Sequence, residues 1–243
     1  MIQLHHPVRL SGGRLRLPDG STCRIRPSGE TDRQLLLDCF NALSPASRRL
    51  RFFNSKRHLT PAELDLFAGA DGWDHLAYVA VGLDDRGHEC EPLGFARCLR
   101  LEPDGDSAEF SMTVADRVQG QGIGTALLDA LALAARAVGI RHLRCELLAE
   151  NTGMRHLAAH LGGEARWLGD GIVEYQCVLA DPPTAAPWGL PWYANPDQLL
   201  AACTRAWLSG LDDGLELVKA AGQGLEYWLA DLRPSPGSER VAA

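Results

Sequence analysis

The chain contains no run of about 20 consecutive apolar residues, so it offers no membrane-spanning helix. Its opening residues, Met1-Ile2-Gln3-Leu4-His5-His6-Pro7, lack the continuous apolar stretch of a secretion signal. We therefore expect a cytoplasmic protein with no membrane partner. Any Cys-x-x-Cys pair is missing as well. The seven cysteines (Cys23, Cys39, Cys90, Cys98, Cys145, Cys177 and Cys203) are odd in number and scattered. That pattern suggests neither a disulfide framework nor a zinc site, and it leaves them as reduced, mostly buried small apolar residues. No metal is expected. Nor is there an excess of basic charge, because 24 Lys and Arg face 31 Asp and Glu for a net charge of −7. General nucleic-acid binding needs clustered Lys and Arg and is not expected here. An acidic surface instead tolerates cationic acceptors such as amines or lysine side chains.

What is present is enough to fold. The composition is 46% hydrophobic and 23% charged, far from the profile of a disordered chain. Pro18-Asp19-Gly20 is a turn signal between two alternating runs, Arg14–Leu17 and Ser21–Arg26, so the chain opens on a hairpin. Leu35, Leu36, Cys39, Phe40 and Leu43 recur at spacings of three and four, which predicts a helix from about Glu30 to Leu43. Thr60 as N-cap, Pro61 at the first helical position and Glu63 completing a capping box start a short second helix. Three strand-like runs follow, His75 to Leu83, Leu93 to Leu101 and Ala108 to Val114, in the manner of an antiparallel meander.

Ile123 to Val138 is an apolar helical run ended by Gly139 and followed by a strand from His142 to Leu148. Asn151 then caps a helix to Leu161, and Ile172 to Leu179 reads as a last strand. The fold class expected is mixed α/β, with a single central, mostly antiparallel sheet flanked by helices, occupying residues 1–180. Asp181-Pro182-Pro183 opens a stiff proline-rich linker, 181–195. Residues 196–243 are expected to form a C-terminal helical extension. There Leu211, Leu215, Val218, Gly222, Leu225, Leu229 and Leu232 alternate spacings of four and three in a narrow apolar seam. Its glycines weaken it as an isolated helix, so it needs a partner surface, either a twin copy in a homodimer or its own domain.

The chemistry gathers at Gln119-Gly120-Gln121-Gly122-Ile123-Gly124, between a strand and a long apolar helix. Glycines let neighbouring backbone N–H groups converge on one point, and the helix N-terminus adds partial positive charge, so an anion can be held without lysine. A tight strand-to-helix turn would use the same residues. A Rossmann fingerprint lacks its third glycine in either register, where Thr125 or Leu127 stands, and no Gly-Lys-Ser/Thr follows to make a P-loop.

The stretch resembles the pyrophosphate loop of the GNAT superfamily of N-acetyltransferases, Gln/Arg-x-x-Gly-x-Gly/Ala, met here by Gln119, Gly122 and Gly124. The resemblance spans about Ser21 to Leu179 and is closest to the catalytic domain of bacterial protein lysine acetyltransferases that modify acyl-CoA synthetases. Leu43-Ser44-Pro45-Ala46-Ser47, Leu50-Arg51-Phe52-Phe53, Ala108-Glu109-Phe110 and Ala149-Glu150-Asn151 with Met154-Arg155 all look like that subgroup. The resemblance implies acetyl-CoA as acyl donor, held by Met112, Thr113 and Val114 through the pantetheine arm. The loop residues Gln119, Gly120, Gln121, Gly122, Ile123, Gly124 and Thr125 complete the cofactor set with Asn151, which lies beyond a splayed pair of strands. For Asn151, helix capping is an equal reading, and both roles can coexist.

A lysine amine has an unperturbed pKa of about 10.4, so it must lose a proton before it attacks a thioester. Glu109 matches the proposed general base of the resembled subgroup, and burial would prepare it to act directly or through one water. Many GNAT enzymes supply a general acid from a tyrosine in the last helix, but the matching position is Ala158, which leaves the acid unassigned. His156 and His160 are nearby and read as helix-surface residues. The activity expected is direct acetyl transfer to a protein lysine ε-amine. The alternatives are a small-amine acetyltransferase and a non-catalytic acyl-CoA-binding sensor or scaffold, the latter motivated by Ala158.

Overall fold

A computed structural model describes residues 13–179. The linker and the helical extension expected after residue 180, and the homodimer expected through that extension, lie outside the described residues. Chain order is β1 (Arg14–Arg16), β2 (Thr22–Pro27), α1 (Arg33–Asn41), α2 (Pro45–Phe52), α3 (Pro61–Ala68), β3 (His75–Leu83), β4 (Glu89–Arg100), β5 (Ser107–Val114), α4 (Ile123–Ala137), β6 (His142–Leu148), α5 (Thr152–His160), β7 (Glu164–Gly169) and β8 (Ile172–Val178). The strands make one eight-stranded sheet in the order β1-β2-β3-β4-β5-β6-β8-β7. Every neighbouring pair is antiparallel except β5 with β6.

The opening hairpin turns where Gly20 takes a positive φ of 89° and the Asp19 carboxylate accepts the Ser21 N–H at 2.9 Å. α3 has the capping box expected of it: the Thr60 hydroxyl accepts the Glu63 N–H, and the Glu63 carboxylate accepts the Thr60 N–H. α4 buries Leu127, Leu128 and Leu131 completely, each contributing roughly 2 kcal/mol as an upper estimate. It packs on β3 and β4 from one side, while α1 packs on β4 from the other. Arg97 of β4 pairs with Ala77 of β3 and Ser111 of β5, so these three share a face, and Arg97 and Ser111 join Phe40 of α1 and Phe67 of α3 in lining one pocket there.

Several boundaries depart from expectation. The first helix begins with a 3-10 turn over Glu30–Asp32 and closes at Asn41, before Leu43. β4 begins at Glu89 rather than Leu93, and Pro92 is accommodated beside a register shift between Ala80 and Val81. Two elements were not expected. α2 starts on an N-cap at Ser44 with Pro45 at the first helical position, and β7, exposed throughout, forms a hairpin with the largely buried β8. Of the cysteines, Cys23, Cys39, Cys98, Cys145 and Cys177 are buried and free, whereas Cys90 is exposed. Among the described residues no group of acids, histidines and cysteines is arranged to hold a metal, and no helix is long and apolar enough to cross a membrane.

Candidate active site

The parallel pair β5 and β6 is in register only at Ser107↔His142, Ala108↔Leu143 and Glu109↔Arg144. Beyond Glu109, β5 runs on to Val114 and β6 to Leu148 without pairing, so the strands splay and the β5 edge is left free toward β6. A cleft of about 630 Å³ occupies this gap. Its walls are β5, the end of β6, the start of α5, the loop before α4, and α2.

In that loop the chain leaves β5 through a 3-10 turn over Asp116–Val118. Gly120 and Gly122 then take φ values of +74° and +88°, which L side chains rarely adopt, and Gly122 caps α4 in the left-handed conformation. A Cβ at either position would meet nothing within 4 Å, so the backbone faces open space. Free N–H groups of the first α4 turn lie alongside. This is a cradle that fits a pyrophosphate. Gly124 differs: a Cβ there would come within 3.2 Å of Leu157, so this glycine lets α4 and α5 approach each other.

Of the residues singled out from sequence, Glu109, Met112, Thr113, Val114, Gln119, Gly120, Gly122, Gly124, Thr125 and Asn151 all line the cleft. Gln121 and Ile123 do not. Gln121 donates from its amide to the Arg117 carbonyl at 3.5 Å, and Ile123 is wholly buried, leaving only its backbone toward the loop. Gln119 donates from Nε2 to the Val114 carbonyl at 3.1 Å, which pins the loop to the strand that precedes it. Asn151 is a helix cap whose Oδ1 accepts the Met154 N–H at 3.1 Å, and it borders the cleft at the same time.

Glu109 is not buried. Its side chain is 54% exposed, and one carboxylate oxygen lies 3.6 Å from Arg144 Nη2. It faces open cleft and solvent, within reach of an entering amine or a bridging water. Ala158 is fully buried, its carbonyl facing the Cys177 thiol at 3.7 Å, so it does not belong to the cleft wall. His156 is on the wall, whereas His160 is turned away to Asp129 at 2.9 Å. Cys145 also borders the cleft, but burial pushes its thiol far above the ordinary range and keeps it protonated, a poor nucleophile.

The element missed from sequence matters most here. α2 brings Ser47, Leu50 and Arg51 to the cleft, followed by Phe53 at its left-handed C-cap. It is tied to the loop by Asp116: the Ser44 N–H donates to one carboxylate oxygen at 3.0 Å, and the Ser44 and Ser47 hydroxyls donate to the other at 2.9 and 2.6 Å. Partial burial opposes ionisation of Asp116, but these hydrogen bonds outweigh it and hold the carboxyl below its usual range. The signal was present as Ser44-Pro45, a cap followed by proline at the first helical position.

A sequence profile of the acetyltransferase (GNAT) family matches residues 38–162, from α1 through the loop to the end of α5. The chain belongs to the GNAT acetyltransferase family. Acetyltransferase PA5475 of Pseudomonas aeruginosa is 34% identical over 146 residues, covering 60% of this chain and 77% of that protein. Acetyltransferase Pat of Mycolicibacterium smegmatis is 31% identical over 133 residues, 55% of this chain and 38% of its own length. The crystal structure of the GNAT domain of S. lividans PAT superposes with a TM-score of 0.61 at 28% identity, over 69% of this chain and 96% of that one. As a GNAT acetyltransferase the protein draws its acetyl group from acetyl-CoA. Donors along β5, a cradle at the head of α4 and a cleft between them fit that molecule.

Proposed function

We propose that this GNAT enzyme acetylates the ε-amine of lysine in a protein. One observation carries the reading. The four segments that resemble the protein lysine acetyltransferase subgroup are scattered over more than a hundred residues, yet Leu43, Arg51, Glu109, Glu150, Asn151 and Met154, drawn from all of them, meet on the wall of one cleft. Shared segments at the acceptor end of a site argue for a shared acceptor class more strongly than a shared cofactor loop does.

Acetyl-CoA supplies an activated thioester carbonyl. Gly120, Gly122 and the first turn of α4 hold its pyrophosphate through backbone N–H groups, and Met112 to Val114 offer the free β5 edge to the pantetheine arm. Glu109 accepts a proton from the lysine ammonium, directly or through one water, and so frees the lone pair for attack on the carbonyl carbon. The new N–C bond forms as the C–S bond breaks. Glu109 passes that first proton to solvent, then takes the second proton that the nitrogen must shed after attack, and this one neutralises the sulfur anion and leaves with the released thiol. Because a thiol pKa is about 8.5, that departure tolerates the lack of a dedicated acid at Ala158. No enzyme nucleophile is required, in keeping with the protonated Cys145.

Labelled acetyl-CoA offered with an acyl-CoA synthetase, or with a panel of polyamines and antibiotics, tests this directly. Label on lysines of the synthetase is expected. Label on small amines alone would assign the cleft to a small-molecule acceptor, and cofactor binding with no transfer to any acceptor would make the chain a sensor or scaffold.

A further inference from the structure

Beside the cleft, under α2, two arginines converge on one hydroxyl. Arg51 Nη2 donates to Ser111 Oγ at 2.7 Å, and Arg97 Nε reaches the same oxygen at 3.4 Å. Aromatic rings flank both cations: the Arg97 guanidinium lies 4.2 Å from the centre of the Phe67 ring, and that of Arg51 lies 5.0 Å from Phe52. Among the described residues neither arginine has a carboxylate in ion-pair contact, and Arg97 Nη1 is buried with no hydrogen-bond partner at all. Glu109 exerts a favourable field on both, but its carboxylate is turned toward Arg144. Arg26, by contrast, is matched by both Asp32 and Glu89. Burial, and after it the neighbouring Arg97, push Arg51 down to about 10 against the field of Glu109.

The place is accessible. Arg51 and Ser111 border both the main cleft and a small annex of about 60 Å³, whose wall also includes Arg97. Arg97 and Ser111 are register partners on β4 and β5, on the same face as Glu109, and Ser111 lies two residues past Glu109, about 7 Å along the strand. We infer that Arg51, Arg97 and Ser111 form a subsite for a carboxylate carried by the acceptor, roughly 7 Å from the amine that Glu109 deprotonates. Guanidinium groups are planar forks suited to a carboxylate. The acceptor is then an amine with an acid alongside, whose source is an acidic residue near the target lysine or a free amino carboxylate. The inference rests on the acceptor end of the cleft proposed above.

Matched acceptors test it: lysine peptides with Glu or Gln beside the lysine, and 5-aminopentanoate against its amide. The acid member of at least one pair is expected to show a kcat/KM roughly tenfold or more above its amide, mostly through KM. Arg97→Met should shrink that ratio to near unity, while Arg97→Lys retains part of it. The pair that responds identifies the source. Equal kcat/KM within both pairs would overturn the subsite while leaving acetyl transfer intact. If no amine is acetylated the proposed function fails, and the subsite is read independently by NMR of arginine-labelled protein titrated with glutarate. Saturable shifts of the Arg51 and Arg97 Nε–H signals, absent with glutaramide, are expected, and no shift at tens of millimolar glutarate would overturn it.

Discussion

The sheet has two unlike halves. From β2 to β5 its strands are joined by long antiparallel ladders, with helices packed on both faces. From β6 to β7 the face continuous with the one under α1 carries Arg144, Glu146, Arg166 and Gln176, none of them buried, together with a buried Glu174 that accepts from Arg166 and Gln176, and β7 is exposed along its whole length. The register at β4 and β5 runs unbroken from Gly94↔Val114 to Arg100↔Ala108, whereas β5 and β6 share only three pairs. The difference separates two tasks. Both halves hold seven-pair ladders, β4 with β5 and β6 with β8, but helix packing is concentrated on the first, and the cleft opens where pairing between the halves gives out, so strand edge, helix terminus and charged side chains meet there.

If that division holds, the largest effect on folding should come from the first half. Arg26 donates to Asp32 and to Glu89, and Asp32 is buried. Arg26→Met strands a buried carboxylate and should cost about 3 kcal/mol in urea unfolding, with little change in acetyl-CoA affinity. The same network sets a pH dependence. Asp32 is opposed by desolvation, but the Arg26 hydrogen bonds prevail and hold it low, and Glu89 is held low chiefly by Arg26. Carboxyls depressed in the folded state contribute stability that is complete above their unfolded values of about 4 and is lost as pH falls through the folded ones. The urea midpoint should therefore be flat from neutrality to about pH 5 and fall below it, with a shallower fall in Arg26→Met.

At the cleft the comparison reverses. Gly122→Glu should weaken acetyl-CoA binding by roughly a hundredfold in calorimetry, because a side chain and a negative charge enter the cradle. Gly139, with a φ of +84° at the other end of α4, is the control. Gly139→Ala meets similar backbone strain, about 1 kcal/mol, and should lower stability with no loss of cofactor affinity. Equal losses of affinity in both would mean that strain, not phosphate contact, explains Gly122. Glu109→Gln should lower transfer at neutral pH by about tenfold to a hundredfold with cofactor binding nearly intact, and an unchanged rate would remove Glu109 from the mechanism.

The smallest effect is expected where the halves touch across the cleft mouth. Arg49 of α2 is ion-paired with Glu150 before α5, and both side chains are more than half exposed. Arg49→Ala should change stability by less than about 1 kcal/mol, and a larger drop in the thermal midpoint would mean the halves are clasped more firmly than their open seam suggests.

The same contrast governs what could be read in advance. Elements with an apolar pattern announced themselves: α4, β3, which is buried on both faces, and β6, whose buried Leu143, Cys145 and Leu147 alternate with more exposed residues. α2 buries no residue fully and is short and arginine-rich, so its Ser44-Pro45 start was the clearest sign of it. β7 is exposed at every position, and its signal was the turn at Asp170-Gly171, both with positive φ, rather than any alternation within the strand. The glycine loop was legible because its chemistry is local. The arginine pair was not, because Arg51 and Arg97 are brought together only by α2 docking over the sheet.

The central claim is that the seam between β5 and β6 holds the acetyl donor. A crystal structure of the full chain grown with acetyl-CoA tests it most directly. The pyrophosphate should accept hydrogen bonds from backbone N–H groups between Gly120 and Gly124, with the thioester between the splayed strands near Glu109. A pyrophosphate bound away from that loop, or a thioester on the other side of β5, would contradict it.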